Sequence, residues 1–257
     1  MQSIKDFYRE LADGRLMLAF QPVVWLADSS RVLYHEGLLR RIDAQGGDTY
    51  PLAHLEKQAL MRELDRNVVL CVIACLHRDD RLRLGCNISA RSAVIDSFWL
   101  EIIEALREAP SVAARLVIEI TESAAPPSIE AASEFVRCLR GLGCRVAIDD
   151  FGAGVGTLEF IRQTRPDIVK IDKGYIQRAR GEANSAQTLG HLVQLCKTLA
   201  PCVIVEGLES IADQELASDC GGEWGQGYLF GRPHVDRLGQ RCQVSRMAQE
   251  SCTSDQA

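Results

Sequence analysis

Carboxylates recur at the ends of short apolar runs in this chain. Glu36 lies late in RVLYHEGLL (31–39), Glu119 and Glu122 close RLVIEIT (115–121) and the residue after it, and Asp149 and Asp150 end CRVAIDD (144–150). Lys170 and Asp172 finish DIVKID (167–172), Glu206 sits in CVIVEGL (202–208), Asn87 and Ser89 close RLRLGCNIS (81–89), and Gln226 belongs to WGQGYLF (224–230). Taken singly, each has an ordinary reading: Asn87 and Ser89 as a turn, Asp149-Asp150 as a strand end with a cap, and Glu36 with Arg40 at i+4 as a surface ion pair. Gathered on one face, unneutralised carboxylates repel one another and their pKa values rise. A hard divalent cation resolves that repulsion, and an oxygen-only set of Glu, Asn, Glu, Asp and Asp suits Mg2+ or Mn2+ better than Zn2+.

The histidines do not compete for that role. His54, His77, His191 and His234 fall in helical segments without an HxxxH pair, and His35 should face away from its neighbour Glu36 by strand alternation. Gly152, Gly154 and Gly156 follow a strand and precede a helix, as in a phosphate cradle, but lack the GxGxxG spacing and a Walker lysine. With two aspartates directly before it, this segment reads as a mobile loop controlling those aspartates, or as a plain connector.

The runs that carry these residues read as strands, joined at the start by MLAFQPVV (17–24). Helical segments lie between them: 52–77, 92–109, 128–141, 185–199, 209–219 and 234–247. From the third run onward strands and helices alternate, which implies parallel strands in right-handed crossovers. WLADSS, between Val24 and Arg31, is too short for a crossover helix, so the first strand should pair antiparallel with the second. The expected fold is an α/β, modified (β/α)8 TIM-like barrel with the first strand antiparallel, in which the C-terminal strand ends form the face that carries chemistry. No linker-like stretch divides the chain, so residues 1–247 read as one domain and 248–257 as a polar tail.

Composition narrows the partners. A length of 257 residues with 47% apolar content supports a sizeable core, and a net charge of −6 gives no basic excess for a nucleic acid polymer. The longest strongly apolar run, Val68 to Leu76, is far short of the roughly 20 residues that span a bilayer, so no membrane contact is expected. The N-terminus lacks a secretory core. Ten cysteines are scattered without a CxxC pair, which argues against disulfides and for small buried apolar side chains in a reducing, cytoplasmic setting.

At this point the motifs FQPVV (20–24), EGLLR (36–40), NIS (87–89), EITE (119–122), DDFGAG (149–154), DIVKID (167–172), EGLE (206–209) and GQGYLFGRP (225–233) stand in one order and spacing. The chain resembles the EAL domain family, the cyclic di-GMP phosphodiesterases, over essentially its whole length. That resemblance implies hydrolysis of cyclic di-GMP to linear pGpG with two metal ions, Mg2+ or Mn2+, and a homodimer. It implies Glu36, Asn87, Glu119 and Asp149 as metal ligands, with Asp150 and Glu206 serving the second metal. Arg40, Gln21 and Gln226 fall at the substrate side, Lys170 beside the attacking water, and Glu122 at the anchor of the loop after Asp150. Either Lys170 or Glu206 activates the water. Two features depart from the family: Gly37 replaces Ala, and the loop reads FGAGVGTL, so Gly156 and Thr157 bear on its rigidity. A cyclic di-GMP receptor without turnover and an interaction scaffold are the rival readings; the complete set of ligand types favours the enzyme.

Overall fold

The computed structural model describes residues 9–43, 46–49, 60–121, 126, 128–153, 158–239 and 242–244. Strand β1 (Leu16–Trp25) turns back into β2 (Asp28–Asp43), whose short extension β3 (Gly46–Thr49) pairs with its end. In the hairpin, Asp28 Oδ1 accepts bonds from the Ser30 amide at 3.0 Å and hydroxyl at 2.7 Å, side-chain chemistry that favours a turn. The chain then passes through α1 (Met61–Arg78), β4 (Leu84–Ser89), α2 (Ser97–Glu108), the short α3 (Pro110–Ala113), β5 (Leu116–Thr121) and α4 (Ile129–Gly141). It continues through β6 (Arg145–Phe151), α5 (Leu158–Thr164), β7 (Ile168–Ile171), α6 (Lys173–Ala179), α7 (Ala183–Leu199), β8 (Cys202–Val205), α8 (Ile211–Asp219), β9 (Trp224–Gln226) and β10 (Cys242–Val244).

Hydrogen bonding runs in the order β10-β1-β9-β8-β7-β6-β5-β4-β2-β3, and the additional β1–β2 pairing closes eight of these strands into a barrel. Every pair from β2–β4 to β8–β9 is parallel, while β1 runs antiparallel to β2, β9 and β10. The reversed first strand expected from the short spacer is therefore present. Side-chain caps start the helices at Asp96, Ser128, Asp172 and Ser210.

Three expectations are corrected. In the segment expected as a helix over 234–247, the described residues 234–239 and 242–244 are not helical: Phe20 and His234 make a β-bridge, and Cys242–Val244 pairs antiparallel with Leu16–Leu18. The apolar spacing there suits an edge strand as well as a helix, and the free edge of β1 decides between them. Residues 173–179, left without a helix by the sequence, form α6 behind its cap Asp172. Cys75 and Cys242, 167 residues apart, are joined as a disulfide with Cα atoms 6.6 Å apart, because β10 returns across α1. Cys71, Cys86, Cys144 and Cys196 are outside any disulfide and buried, as small apolar residues should be. The first part of the expected helix 52–77, and the tail 248–257, lie outside the described residues.

The core has two compartments. The larger fills the space between barrel and helices, with Phe20, Val69, Ile118, Phe135, Ile148 and Val203 among its buried residues. The smaller lies inside the barrel: Val23, Tyr34, Val117, Ala147, Ile168, Ile204 and Trp224. At its lower end Trp25 and Trp224 meet edge to face at 4.9 Å across the β1–β9 seam, and the Arg31 guanidinium lies over both rings. No described helix is long and apolar enough to cross a membrane.

Candidate active site

Strand alternation lifts one residue from each strand above that apolar plug. Two positions beyond Tyr34, Val117, Ala147, Ile168, Ile204 and Trp224 stand Glu36, Glu119, Asp149, Lys170, Glu206 and Gln226. Asn87 bears the same relation to Gly85, and in the reversed β1 the order inverts, so Gln21 precedes Val23. The lower partner on β4 has to be glycine, since a Cβ at Gly85 would stand 2.5 Å from Glu119 Oε1 and 2.6 Å from the Tyr34 ring. Eight polar side chains thus share one layer at the C-terminal mouth of the barrel.

Lys170 is the centre of this layer and is fully buried. Its Nζ lies 2.7 Å from Glu119 Oε2, 2.8 Å from Asp149 Oδ1, 2.9 Å from Glu206 Oε1 and 3.1 Å from Glu36 Oε2. Glu36 also accepts bonds from Asn87 Nδ2 and Gln226 Nε2, each at 2.5 Å. Gln226 Nε2 reaches Gln21 Oε1 at 3.3 Å, and Gln21 Nε2 donates to the Gly231 carbonyl at 3.0 Å. A buried ammonium without partners would cost several kcal/mol, and the carboxylates are what keep this one charged.

Four carboxylates around one ammonium leave an excess of negative charge, and burial adds to the cost of keeping them ionised. Burial pushes Glu206 up to about 8 and Asp149 to about 6, in both cases against the opposing pull of Lys170. Burial and the neighbouring Glu36 charge hold Glu119 well above the usual carboxylate range. Glu36 goes the other way: burial favours its neutral form, but Lys170 and the bonds from Gln226 and Asn87 together outweigh it. Lys170 is shifted upward because its carboxylate partners overcome the burial that would discharge it.

Two carboxylate triads emerge, Glu36–Glu119–Asp149 and Asp149–Asp150–Glu206, each with ligand atoms within 4.8 Å of one another. Asp149 belongs to both. Asp150 can join because it adopts φ 55°, a left-handed conformation that Asp tolerates, at an irregularity in the β6–β7 register. Consecutive aspartates therefore both line the mouth instead of alternating. The layer also holds buried oxygens that receive no hydrogen bond: Asn87 Oδ1, Glu119 Oε1 and Gln226 Oε1. Unsatisfied acceptors among crowded carboxylates fit a hard cation.

Above the layer opens a cleft of about 540 Å3. Arg40 lines it, half-buried, with Nη1 donating to the Leu39 carbonyl at 2.8 Å, and burial lowers its pKa. Among the residues singled out from the sequence, Gln21, Glu36, Arg40, Asn87, Asp149, Asp150, Glu206 and Gln226 all line the cleft, with Lys170 and Glu119 buried beneath. Ser89 and Asp172 have the ordinary roles: Ser89 caps the turn at Ala90–Ser92, and Asp172 accepts from the Gly174 amide at 2.9 Å. His35 is kept out of the layer by alternation. Glu122, Gly154, Gly156 and Thr157 lie outside the described residues.

Sequence reasoning missed Asp65, on α1, whose buried Oδ2 accepts from the Ser89 amide at 3.0 Å and the Ser92 hydroxyl at 2.6 Å and so steadies the end of β4. A carboxylate inside an otherwise apolar helix face was the available signal. Lys173, Gln177, Glu209 and Tyr228 also line the cleft and were not singled out.

The profile of the EAL domain matches residues 4–233. The chain is 29% identical over 248 residues to the bifunctional diguanylate cyclase/cyclic di-GMP phosphodiesterase MucR of Pseudomonas aeruginosa, a match covering 91% of this chain and 35% of that protein. It is 27% identical over 232 residues to the cyclic di-GMP phosphodiesterase PdeR of Escherichia coli, covering 88% of this chain and 35% of that one. The chain thus spans about a third of the length of these curated relatives. Among solved structures, the MucR phosphodiesterase in complex with c-di-GMP superposes with a TM-score of 0.74 at 27% identity, over 91% of this chain and 98% of that one. An EAL domain protein of Listeria monocytogenes shares the fold, with a TM-score of 0.78 at 24% identity over 90% and 94% of the two chains. With its barrel, its reversed first strand and a profile match over most of its length, this chain belongs to the EAL domain family.

Proposed function

We propose that this chain hydrolyses one phosphodiester bond of cyclic di-GMP, giving linear pGpG, in a reaction that requires two Mg2+ or Mn2+ ions. The observation that carries the reading is Asp149, shared by two carboxylate triads around the buried Lys170. Relatives matched over most of this chain are named cyclic di-GMP phosphodiesterases, which supports the substrate.

Glu36, Asn87, Glu119 and Asp149 would hold the first ion; Asp149, Asp150 and Glu206 would hold the second. Ions held by these residues would supply a lowered pKa for a bound water and charge to offset that on the phosphoryl oxygen. Lys170 holds the carboxylates in one layer, and either Lys170 or Glu206, 2.9 Å apart, activates the attacking water. Gln226 fixes the Glu36 carboxylate, while Arg40 and Gln21 face the substrate from the β1–β2 side. The enzyme acts in the cytoplasm as a homodimer, with residues 1–247 as its barrel domain and 248–257 as a tail.

The test is incubation with cyclic di-GMP and Mg2+ or Mn2+, following pGpG by chromatography, for the wild type and Glu36→Ala. Turnover in the wild type that EDTA and Glu36→Ala both abolish is expected. Tight binding without turnover in either metal would replace the enzyme with a receptor.

A further inference from the structure

The segment that carries Glu206 is held from outside the barrel by a clasp that no part of the proposed chemistry uses. Arg180 caps the C-terminal end of α6, the helix that begins three residues after Lys170. Its guanidinium grips Asp213 of α8 in a fork, Nε to Oδ1 at 2.8 Å and Nη2 to Oδ2 at 3.0 Å. Nη2 also donates to the carbonyl of Gly207, directly after Glu206, at 3.2 Å, and Nη1 lies 3.3 Å from Glu209 Oε2. Asp213, only 2% exposed, accepts through Oδ2 from the amides of Glu209 at 2.8 Å and Ser210 at 2.9 Å. One arginine and one aspartate therefore bind the backbone of residues 207, 209 and 210 together.

The inner side of the same segment is pinned independently. The Glu206 amide donates to the Ile171 carbonyl at 3.2 Å, and the Leu208 amide to the Gln226 carbonyl at 3.1 Å. Between the two sets, Gly207 takes φ 76° and lies so close to α6 that a Cβ would stand 2.4 Å from Lys173 Cβ. With the chain gripped on both sides, the Glu206 carboxylate has little freedom relative to Lys170, 2.9 Å away. A bidentate arginine–carboxylate pair supplies geometric specificity as well as energy, which a looser surface pair does not.

We propose that Arg180 and Asp213 are positioning residues for the active centre, fixing Glu206 against Lys170 through the backbone of residues 206–210. This rests on the proposed function for what Glu206 does, and on the geometry alone for what holds it there. The experiment compares wild type, Arg180→Ala, Arg180→Lys, Asp213→Asn and the double variant Arg180→Ala/Asp213→Asn. Mn2+ binding is measured by calorimetry, amide exchange across residues 206–210 by mass spectrometry, and kcat and KM on cyclic di-GMP with Mn2+.

Arg180→Ala is expected to weaken Mn2+ binding and lower kcat, each roughly tenfold, with KM changed less than about twofold and exchange in 206–210 accelerated. Arg180→Lys should fall between, since a point charge reaches one oxygen but cannot reproduce the fork. The double variant should lose little more than Arg180→Ala, because the two residues act as a unit. Should Arg180→Ala lower the melting temperature yet leave Mn2+ affinity and kcat within about twofold of wild type, the clasp is only structural and the proposal falls. A wild type that binds Mn2+ but does not turn over cyclic di-GMP overturns the enzyme reading alone, and Mn2+ affinity then decides the clasp. A wild type that binds neither overturns both.

Discussion

Inside the barrel two layers lie one strand repeat apart, on the same strands and in the same order. The lower, from Val23 and Tyr34 round to Trp224, is almost wholly apolar; the upper, from Gln21 and Glu36 round to Gln226, is wholly polar. Burial is similar in both, so the difference is not one of solvent access. Removing apolar surface from water stabilises the lower layer, whereas burying charges destabilises the upper one unless each finds a partner. The first layer holds the second in place. A polar layer of this kind needs an apolar floor that cannot move.

Substitutions can break that division of labour, and their effects should scale with the layer they touch. The largest is expected from Glu36→Gln, which keeps the shape of the side chain and removes its charge. Turnover of cyclic di-GMP should fall by about a thousandfold or more, equivalent to ~4 kcal/mol of barrier, and melting temperature should fall because Lys170, Gln226 and Asn87 lose the carboxylate they bind. A stable protein with full activity would remove Glu36 from the chemistry. Lys170→Met probes the same layer for stability: four carboxylates lose their shared cation, and denaturant titration in EDTA should show a loss of about 3–5 kcal/mol. Unchanged stability would mean that these carboxylates are already neutral in the folded protein.

The lower layer should respond in the opposite sense. Ile204→Ala removes buried methyl groups and should cost about 2–4 kcal/mol in urea unfolding while the folded fraction keeps most of its kcat. A selective loss of kcat at full stability would erase the distinction between the layers. Loading the site sharpens it from the other side: Mn2+ at about 100 times its Kd should stabilise the wild type by about 2.7 kcal/mol, and Glu36→Ala by much less.

The smallest effect belongs outside the barrel. Burial favours the neutral form of Asp213, yet bonds from Glu209, Arg180 and Ser210 outweigh it and hold its pKa below the usual carboxylate value. Its contribution is therefore fully present above the unfolded pKa of about 3.9 and is lost as pH falls through the lower folded value. Asp213→Asn should cost about 1 kcal/mol at pH 7, a difference from wild type that shrinks steadily below pH ~4 when stability is followed by urea unfolding.

The two layers also differ in how they were legible before the structure. Parallel strands end at a common height, so a polar residue breaking an apolar run marks the same level on each strand. That is why Glu36, Asn87, Glu119, Asp149, Lys170, Glu206 and Gln226 could be assembled from spacing, and why the reversed β1 could be deduced from a short spacer. The contacts that escaped join residues far apart in sequence without a local pattern. Asp65 meets Ser89 and Ser92 through tertiary packing, Arg180 meets Asp213 across two loops, and Cys75 meets Cys242 over 167 residues. The strand Cys242–Val244 was hidden for a related reason: three residues cannot display a period, and only the open edge of β1 selects an extended form.

The tryptophan pair at the bottom of the barrel gives the molecule an optical gauge. Trp25 and Trp224 belong to the two strands whose antiparallel seam helps to close the cylinder, and their rings touch across it. Two indoles at that separation couple as excitons, so the pair marks circular dichroism with a signal that depends on their mutual angle. The third tryptophan, Trp99, packs on Phe135 outside the barrel and cannot contribute to the coupling. Opening of the seam and melting of the helical jacket would therefore be read at different wavelengths in one spectrum, without any label.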